Sequence, residues 1–222
     1  MNKRDTISYC LDSIKKAGAD KAACSLSMSE KKELNVEIGE MTLFRTTFNA
    51  NLGISVIKDQ KKGSTLINKI DKESIDSAID LVMNMAKGSK ADDAHDISMN
   101  QSQQIFSKGD ESANLDNMYE SLEEFVKYVK STYPQINLEA ALMDFNHRKL
   151  FFKNSNGVDF EIREGIYGFS PMFLSKDGDK TSSFNYTGIS ALKIEKPLHE
   201  YGTVDTLLQQ SVEQLHTEKI KK

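Results

Sequence analysis

The sequence predicts an α+β fold: antiparallel sheets with flanking helices, and an internal duplication of a helix-strands-helix unit. Two observations support this prediction. The spacing of apolar residues switches repeatedly between the helical period and the strand period of two. The order helix, strands, helix then occurs twice along the chain, as expected for an internal repeat. A chain of 222 residues with 38% hydrophobic content is long enough to bury such cores.

The first predicted helix lies near the amino terminus. Its apolar residues recur at offsets of three, four and seven, and they are Ile7, Cys10, Leu11 and Ile14. We expect Asp5 or Thr6 to cap its start, because both side chains can accept a hydrogen bond from the first helical turn. Gly18 is expected to end it.

The next stretch, residues 20–70, has the period of an antiparallel meander. Its alternating apolar positions are Leu34, Val36, Ile38, Leu52, Ile54 and Val56. Turns are expected at Gly39-Glu40 and within 59–63, where glycine tolerates the left-handed backbone region. A second helix is expected to begin near Asp71 and to end at Gly88.

Residues 89–113 are rich in Ser, Asp, Asn, Gln and Lys, so we interpret them as a polar linker with one short strand. A third helix is expected from Asn114 to Pro134. A second strand-rich block then runs from 136 to 194, with a turn at 147–149, and a last helix is predicted over 203–220. The apolar stripe of that helix is Val204, Leu207, Leu208, Val212 and Leu215.

The duplication has a definite register. A shift of 118 positions, without a gap, brings nine identical residues together between positions 22 and 68, including Gly39 on Gly157 and Arg45 on Arg163. The predicted organisation is therefore a first helix-strands-helix unit over 1–88, the linker over 89–113, and a second unit of strands and helices over 114–222. We expect the aromatic residues of the strands to fill a core, with a minority lining a groove.

Charge and hydropathy exclude several classes of function. The 29 basic and 33 acidic residues give a net charge of −4, so no direct nucleic-acid partner is expected. No apolar run has the length of a membrane-spanning helix, and the amino terminus has no apolar signal core, so no membrane partner and a cytoplasmic location are expected. Cys10 and Cys24 form no CxxC pair and are interpreted as small buried apolar side chains.

The four histidines do not form a recognisable site. His199-Glu200 begins like the HExxH zinc helix, but Thr203 stands where the second histidine would be. His95 lies in the acidic stretch 92–96 of the polar linker, which we interpret as a solvated segment rather than a cation site. His147 falls in an expected turn and His216 in the last helix. We therefore expect no catalytic residue and no metal ligand in this chain.

Several motifs in order resemble the amino-terminal half of the TldD/PmbA family, whose members include modulators of DNA gyrase and peptide-maturation peptidases. They are Asn35–Glu40, Leu52–Val56, Lys62–Ser64, Ile70–Glu73, Phe152–Gly157 and the strand, turn and strand of 173–186. Their wording is closer to the PmbA branch than to the TldD branch. The family-like turn and strand residues, to which we assign a structural role, are Gly39, Gly53, Gly63, Asn154, Ser155 and Gly157.

The resemblance implies where the chemistry of such proteins resides. In the TldD branch a zinc-binding HExxxH helix belongs to a carboxy-terminal domain, which by this resemblance is expected beyond Lys222, whereas the PmbA branch generally lacks the metal set. Zinc is therefore expected only in that further domain, and this chain is expected to hold no cofactor. Expected partners are the carboxy-terminal domain, a second subunit in a homo- or heterodimer, and an unfolded peptide.

The leading hypothesis is a non-catalytic amino-terminal domain of a TldD/PmbA-like metallopeptidase. It would assist peptide admission by adding an extended peptide to a sheet edge, and it would assemble with the carboxy-terminal domain or a partner subunit. The alternative is a structural or regulatory interaction module without a role in proteolysis. A third hypothesis, an independent hydrolase, lacks a recognisable nucleophile or metal pattern. The substrate-binding residues and the substrate are not identified by the sequence.

Overall fold

The computed structural model describes residues 2–216. It contains four α-helices, which are α1 Lys3–Lys16, α2 Lys72–Gly88, α3 Leu115–Thr132 and α4 Val204–Glu213, and a short 3-10 helix, Leu198–Glu200. The strands are β1 Lys21–Glu37, β2 Glu40–Lys58, β3 Lys61–Ile67, β4 Gln104–Lys108, β5 Ile136–Asn154, β6 Asp159–Asp177, β7 Lys180–Thr181, β8 Asn185–Tyr186 and β9 Ile189–Ala191.

The strand order is β3-β2-β1-β5-β6-β4, and β7, β8 and β9 also pair with β6. β3 is antiparallel to β2, and β4 is parallel to β6. The predicted α+β class, with a mostly antiparallel sheet and flanking helices, is confirmed. No helix within the described residues is both long and apolar enough to cross a membrane.

Helix starts follow from side-chain caps. Asp71 accepts a hydrogen bond from the Ser74 backbone N–H at 3.0 Å and caps α2, as predicted. The predicted cap of α1 is wrong. Asn2 caps that helix, because its Oδ1 accepts from the Asp5 backbone N–H at 2.9 Å. Asp5 and Thr6 therefore lie inside the first turns of α1, and the helix begins earlier than its apolar stripe indicated.

The chain forms two compact units whose segments alternate along the sequence. Unit 1 comprises Met1–Glu30, Phe48–Lys108 and Arg148–Glu164, and unit 2 comprises Lys31–Thr47, Gly109–His147 and Gly165–Lys222. The predicted organisation instead places its boundaries in chain order, at residues 88 and 113. The difference arises because β1, β2, β5 and β6 are long strands, and each contributes one segment to each unit.

Unit 1 has a core of its own between its two helices and its strands. The buried residues include Ile7, Cys10, Ile14, Cys24, Leu26, Leu52, Ile54, Val56, Ile75, Val82 and Ala86. The regular spacing of the α1 and α2 apolar stripes explains which helix faces are buried.

Unit 2 has a second core built from α3, α4 and segments of β1, β5 and β6. Its buried residues include Leu34, Val36, Met118, Leu122, Phe125, Val129, Phe145, Tyr167, Phe169, Phe173, Val204 and Leu208. The rings of Phe125 and Phe169 meet edge to face at 4.8 Å between centroids. The helix predicted over 203–220 ends earlier, at Glu213, and positions 217–220 lie outside the described residues.

Candidate functional site

β2 and β6, each 19 residues long, differ in what lies along their outer edge. β6 pairs in succession with β4, β9, β8 and β7, between Phe160 and Asp177. On the corresponding side, β2 pairs only with β3, over Leu52–Lys58. Among residues 2–216, no strand is assigned beside the preceding part of β2 on that side. We call the portion of it that lies in unit 2, Glu40–Thr47, the open edge.

The open edge carries apolar side chains that face solvent. Leu43 is 43% exposed and Phe44 is 54% exposed, with the exposed Thr42 and Thr46 on either side of Phe44. Phe48, the first β2 residue of unit 1, is also exposed. These two phenylalanines therefore belong to the minority of strand aromatics that lie outside the core. A strand edge with free backbone groups and exposed apolar side chains is a template for pairing with another extended chain.

The turn between β1 and β2 sets the start of the open edge. Ile38 and Gly39 both have positive φ, 53° and 73°, as a tight two-residue turn requires. Ile38 is 83% exposed, so its predicted place in the buried face of β1 is wrong, because the strand has already turned. Lys130 of α3 donates from Nζ to the Gly39 carbonyl oxygen at 3.3 Å. This bond connects the turn to the carboxyl end of α3.

A charged cluster lies beneath one face of the open edge. Glu33 of β1 is 4% exposed, and its carboxylate accepts from Arg45 Nε at 2.8 Å and from Lys31 Nζ at 3.1 Å. Lys31 Nζ also lies 3.6 Å from Asp144 Oδ2 of β5. The Arg45 side chain is 56% exposed. Glu33 therefore orients an arginine whose guanidinium remains accessible at the edge.

The cluster changes the ionisation of its two carboxyl groups in opposite directions. The hydrogen bond from Arg45 lowers the pKa of Glu33, although burial of Glu33 acts against this. Burial raises the pKa of Asp144, and the charge of Lys31 opposes that change only in part. Glu33 is thus the stably charged member that fixes Arg45 in place.

Two of the glycines singled out by the family-like motifs allow close packing within unit 1. A Cβ on Gly53 would lie 2.7 Å from Ser25 Oγ. A Cβ on Gly63 would overlap the Val82 carbonyl oxygen and lie 2.8 Å from the Ala86 backbone nitrogen. Gly63 therefore lets the backbone of α2 sit directly on β3.

The Asn-Ser-Asn-Gly motif forms the turn between β5 and β6 and holds neighbouring backbone. Asn154 is 3% exposed, and its Nδ2 donates to the Ser98 carbonyl oxygen at 2.9 Å. Ser155 Oγ accepts from the Ala22 backbone N–H at 3.0 Å. Gly157 has a φ of +89°. These contacts anchor backbone of unit 1.

The two cysteines lie together in the core of unit 1. Cys10 and Cys24 are both buried, with their Sγ atoms 3.5 Å apart. The hydrogen bond with Cys10 and burial both raise the pKa of the Cys24 thiol, which disfavours the thiolate that a metal requires. Within residues 2–216, no three His, Cys, Asp or Glu side chains are placed to hold one ion.

The histidines are dispersed over the two units. His95 lines a shallow groove beside the polar linker of unit 1. His147 lies inside β5, so the turn predicted there is wrong, because the strand continues through it. In unit 2 the His199 ring stacks on Tyr128, with 3.7 Å between centroids, and His216 lies beyond the end of α4.

A buried cluster of hydroxyl groups in unit 2 was not found from the sequence. Ser175 Oγ lies 2.8 Å from Ser211 Oγ, and Ser182 Oγ lies 3.0 Å from the same Ser211 oxygen. Asn185 Nδ2 donates to the same Ser211 oxygen at 3.3 Å. The available signal was a serine within the apolar stripe of α4. Its partners are hydroxyl and amide groups, so the cluster joins α4 to β6 and the segment after it rather than providing an activated nucleophile.

Unit 1 has a separate surface groove of about 700 Å³ between the end of β3 and the first turns of α2. Its lining is mixed, with exposed Leu66 and Leu81 beside polar residues, which are Asn51, Asn68, Lys69, Glu73, Ser74 and Ser77. The lining contains no cluster of ligands or catalytic groups.

Comparison with known proteins identifies part of the chain. Residues 22–86 match the sequence model of one family domain, described as PmbA/TldA metallopeptidase domain 1. This match confirms the resemblance to the TldD/PmbA family. None of the curated proteins matches the sequence.

Solved structures share the fold at low sequence identity. TldE from Thermococcus kodakarensis matches with a TM-score of 0.72 and 17% identity, over 95% of this chain and 47% of that one. A proposed modulator of DNA gyrase from Bacteroides thetaiotaomicron matches with a TM-score of 0.77 and 14% identity, over 98% and 51%. A similar protein from Thermotoga maritima gives 0.65 and 11%, over 96% and 48%. The chain thus spans about half the length of these structures.

Proposed function

We propose that this chain, whose residues 22–86 match the first domain of the TldD/PmbA family, has a non-catalytic function. In this function the open edge of β2 receives an extended peptide. The observation that carries this proposal is the open edge itself: Glu40–Thr47 has no strand partner on its outer side among the described residues, yet exposes Leu43 and Phe44.

Strand addition explains how such an edge would work. Free backbone N–H and C=O groups of β2 would bond to those of the peptide, which provides affinity for any extended sequence. The side chains of β2 point alternately to the two faces, so Leu43 and Phe44 would contact successive peptide residues on opposite faces. An unfolded chain would be held extended, as it must be for cleavage in a catalytic domain.

The second repeat of the same chain supports the proposal. β4 is an isolated five-residue strand from the polar linker, and it adds to the outer edge of β6 in parallel. β4 is exposed along its whole length, so backbone pairing and a few ring contacts suffice to hold it. Phe106 of β4 meets Phe160 edge to face at 6.5 Å. A short external peptide could use the same interactions on β2.

The chemistry of cleavage is assigned by this proposal to another domain. The described residues present no group of three or more side chains that could hold a metal ion, and on this proposal the chain does not hydrolyse peptides alone. Assembly with a carboxy-terminal domain or a partner subunit, in a homo- or heterodimer in the cytoplasm, completes the proposed function.

The test is a binding measurement on the 222-residue chain. The fluorescence anisotropy of a fluorescein-labelled fragment of unfolded casein should rise when wild-type protein is added. Phe44→Lys should weaken binding of this fragment about tenfold. Leu66→Lys, at an exposed leucine of β3 in unit 1, is the matched control and should bind as wild type does. Absence of binding, or equal binding by Phe44→Lys, would overturn the proposal.

The alternative is an interaction module whose edge is occupied by a partner subunit rather than by a peptide. Sedimentation of the chain with its full-length partner, without peptide, separates the two. Association that masks Phe44 and excludes casein would favour the module. Incubation with casein, with and without chelator, tests the remaining hydrolase hypothesis, for which the proposal predicts no cleavage in either case.

A further inference from the structure

The open edge has an internal counterpart that is already occupied. Under the 118-residue shift, Leu43, Phe44 and Arg45 correspond to Glu161, Ile162 and Arg163 of β6. β2 and β6 are also equal in length, at 19 residues each. The positions beside β6 therefore show what fits beside β2.

The strand that occupies the β6 edge is apolar at two of the three positions. Ile105 of β4 lies beside Glu161, Phe106 beside Ile162, and Ser107 beside Arg163. Read from amino to carboxyl end, the occupant is apolar, apolar and polar, and the polar residue meets the arginine.

The environment of the arginine differs between the two edges. Arg163 donates from Nε to Glu161 at 2.7 Å, and Glu161 lies two residues before it on the same strand and face. At the open edge the position that corresponds to Glu161 is Leu43, which supplies no carboxylate. On β2, therefore, no acidic residue lies two positions before Arg45.

The charge balance around Arg45 leaves it able to bind a further anion. Glu33 shares one carboxylate between Arg45 and Lys31, and Asp144 contacts Lys31. Only the Nε of Arg45 is used in its bond with Glu33, whereas a guanidinium has five N–H donors. Glu40 lies on the opposite face of β2, since it is five positions away.

We propose that the open edge selects extended peptides in which two apolar residues are followed by an acidic residue, added parallel to β2. The apolar pair lies beside Leu43 and Phe44, and the acidic residue lies beside Arg45, which binds its carboxylate. This specificity rests on the proposed function, because it requires that a peptide adds to β2. It identifies Arg45 as the specificity-determining residue and Glu33 as the residue that positions it.

The test compares labelled peptides with the 222-residue chain by fluorescence anisotropy. One peptide contains Ile-Phe-Glu between flanking Ser and Thr residues, the second contains Ile-Phe-Gln, the third Ile-Phe-Lys, and the fourth has Glu-Phe-Ile in reversed order. Wild type should bind the Glu peptide about fivefold more tightly than the Gln peptide, as expected for an exposed charge pair. The reversed peptide should bind as weakly as the Gln peptide, and 0.5 M salt should remove the preference.

Variants at Arg45 complete the cycle. Arg45→Gln should bind the Glu and Gln peptides equally, and Arg45→Glu should prefer the Lys peptide, with folding checked by circular dichroism. Lys127→Gln, an exposed cation on α3, is the control and should keep the wild-type preference. If Arg45→Glu does not fold, the Arg45→Gln result decides.

The outcomes separate the two proposals. Equal binding of the Glu and Gln peptides by wild type, or a preference that persists in Arg45→Gln, overturns the specificity and leaves strand addition standing. Tighter binding of the reversed peptide overturns the parallel arrangement. Binding of none of the peptides overturns both proposals.

Discussion

β2 and β6 are strands of equal length, yet their outer edges differ. Among the described residues, β6 is covered by four short strands, whereas β2 is covered only over Leu52–Lys58 and exposes Leu43 and Phe44 before that. An uncovered edge with apolar side chains favours aggregation unless it has a partner. Two strands of the same length in one sheet thus differ in whether their outer edge is paired, and the unpaired edge of β2 is where a function in binding is to be sought.

The largest expected effect comes from the strand that covers part of β2. Gly63→Ala places a Cβ against the backbone of α2 at Val82. Because the contact is with backbone, α2 and β3 must move apart to accommodate the added methyl group. We expect a loss of about 2–3 kcal/mol in the free energy of unfolding, measured by urea denaturation. A longer uncovered β2 should also increase aggregation.

The control for this prediction is Gly88→Ala in the same helix α2, where a Cβ meets no atom within 4 Å. Alanine has the higher helix propensity, so stability should stay equal or rise slightly. Equal losses from both variants would show that the close approach of α2 to β3 does not hold.

The next effect concerns the cover of β6. Asn154→Ala removes a buried amide that holds the Ser98 carbonyl in the linker leading to β4. Loss of this buried hydrogen bond should lower the free energy of unfolding by about 2 kcal/mol. Hydrogen exchange at β6 residues 160–164 should accelerate, because β4 is less well anchored. Ser102→Ala, at an exposed linker position, should leave both quantities unchanged.

A smaller effect depends on pH. The pKa of Glu33 is lowered in the folded chain, so its ionised form stabilises the fold above its ordinary pKa of 4.5. That contribution is lost as pH falls through the lower folded value. Glu33→Gln should therefore cost about 1 kcal/mol at pH 7, discounted for the exposed partner Arg45, and progressively less as the pH falls below 4.5.

Urea denaturation across pH 2 to 7 measures this loss. Glu123→Gln, on the exposed face of α3, should reproduce the wild-type pH profile. A constant difference between Glu33→Gln and wild type at every pH would contradict an electrostatic origin.

The smallest effect directly compares equivalent positions of the two edges. Phe44→Lys should change stability by less than about 0.5 kcal/mol, because the side chain is half exposed and its edge is open. Ile162→Lys, at the corresponding position of β6 beside Phe106, should cost about 1–2 kcal/mol. Thermal denaturation of both variants measures these losses of stability. Equal losses for Phe44→Lys and Ile162→Lys would contradict the proposed difference between the edges.

Much of the fold could be predicted from local patterns. The stripe of α2 and its Asp71 cap lie in consecutive turns, and the Asn154–Gly157 turn uses residues that tolerate the required backbone, so sequence alone located them. The cap at Asn2 was missed because it precedes the apolar stripe. The buried serines were missed because Ser175, Ser182 and Ser211 meet only in the folded chain.

The sequence alone predicted the α+β class, the order of the helices and long strands and most of their boundaries, and residues 22–86 match the model of a family's first domain. These depend on periodicity and on residues near one another along the chain. Only the tertiary structure decided that β6 is covered and Glu40–Thr47 is open, and that Glu33 and Arg45 meet. The physical reason is that strand pairing joins distant segments. The alternation of apolar and polar residues along a strand is therefore the same whether the apolar side chains face a core or solvent.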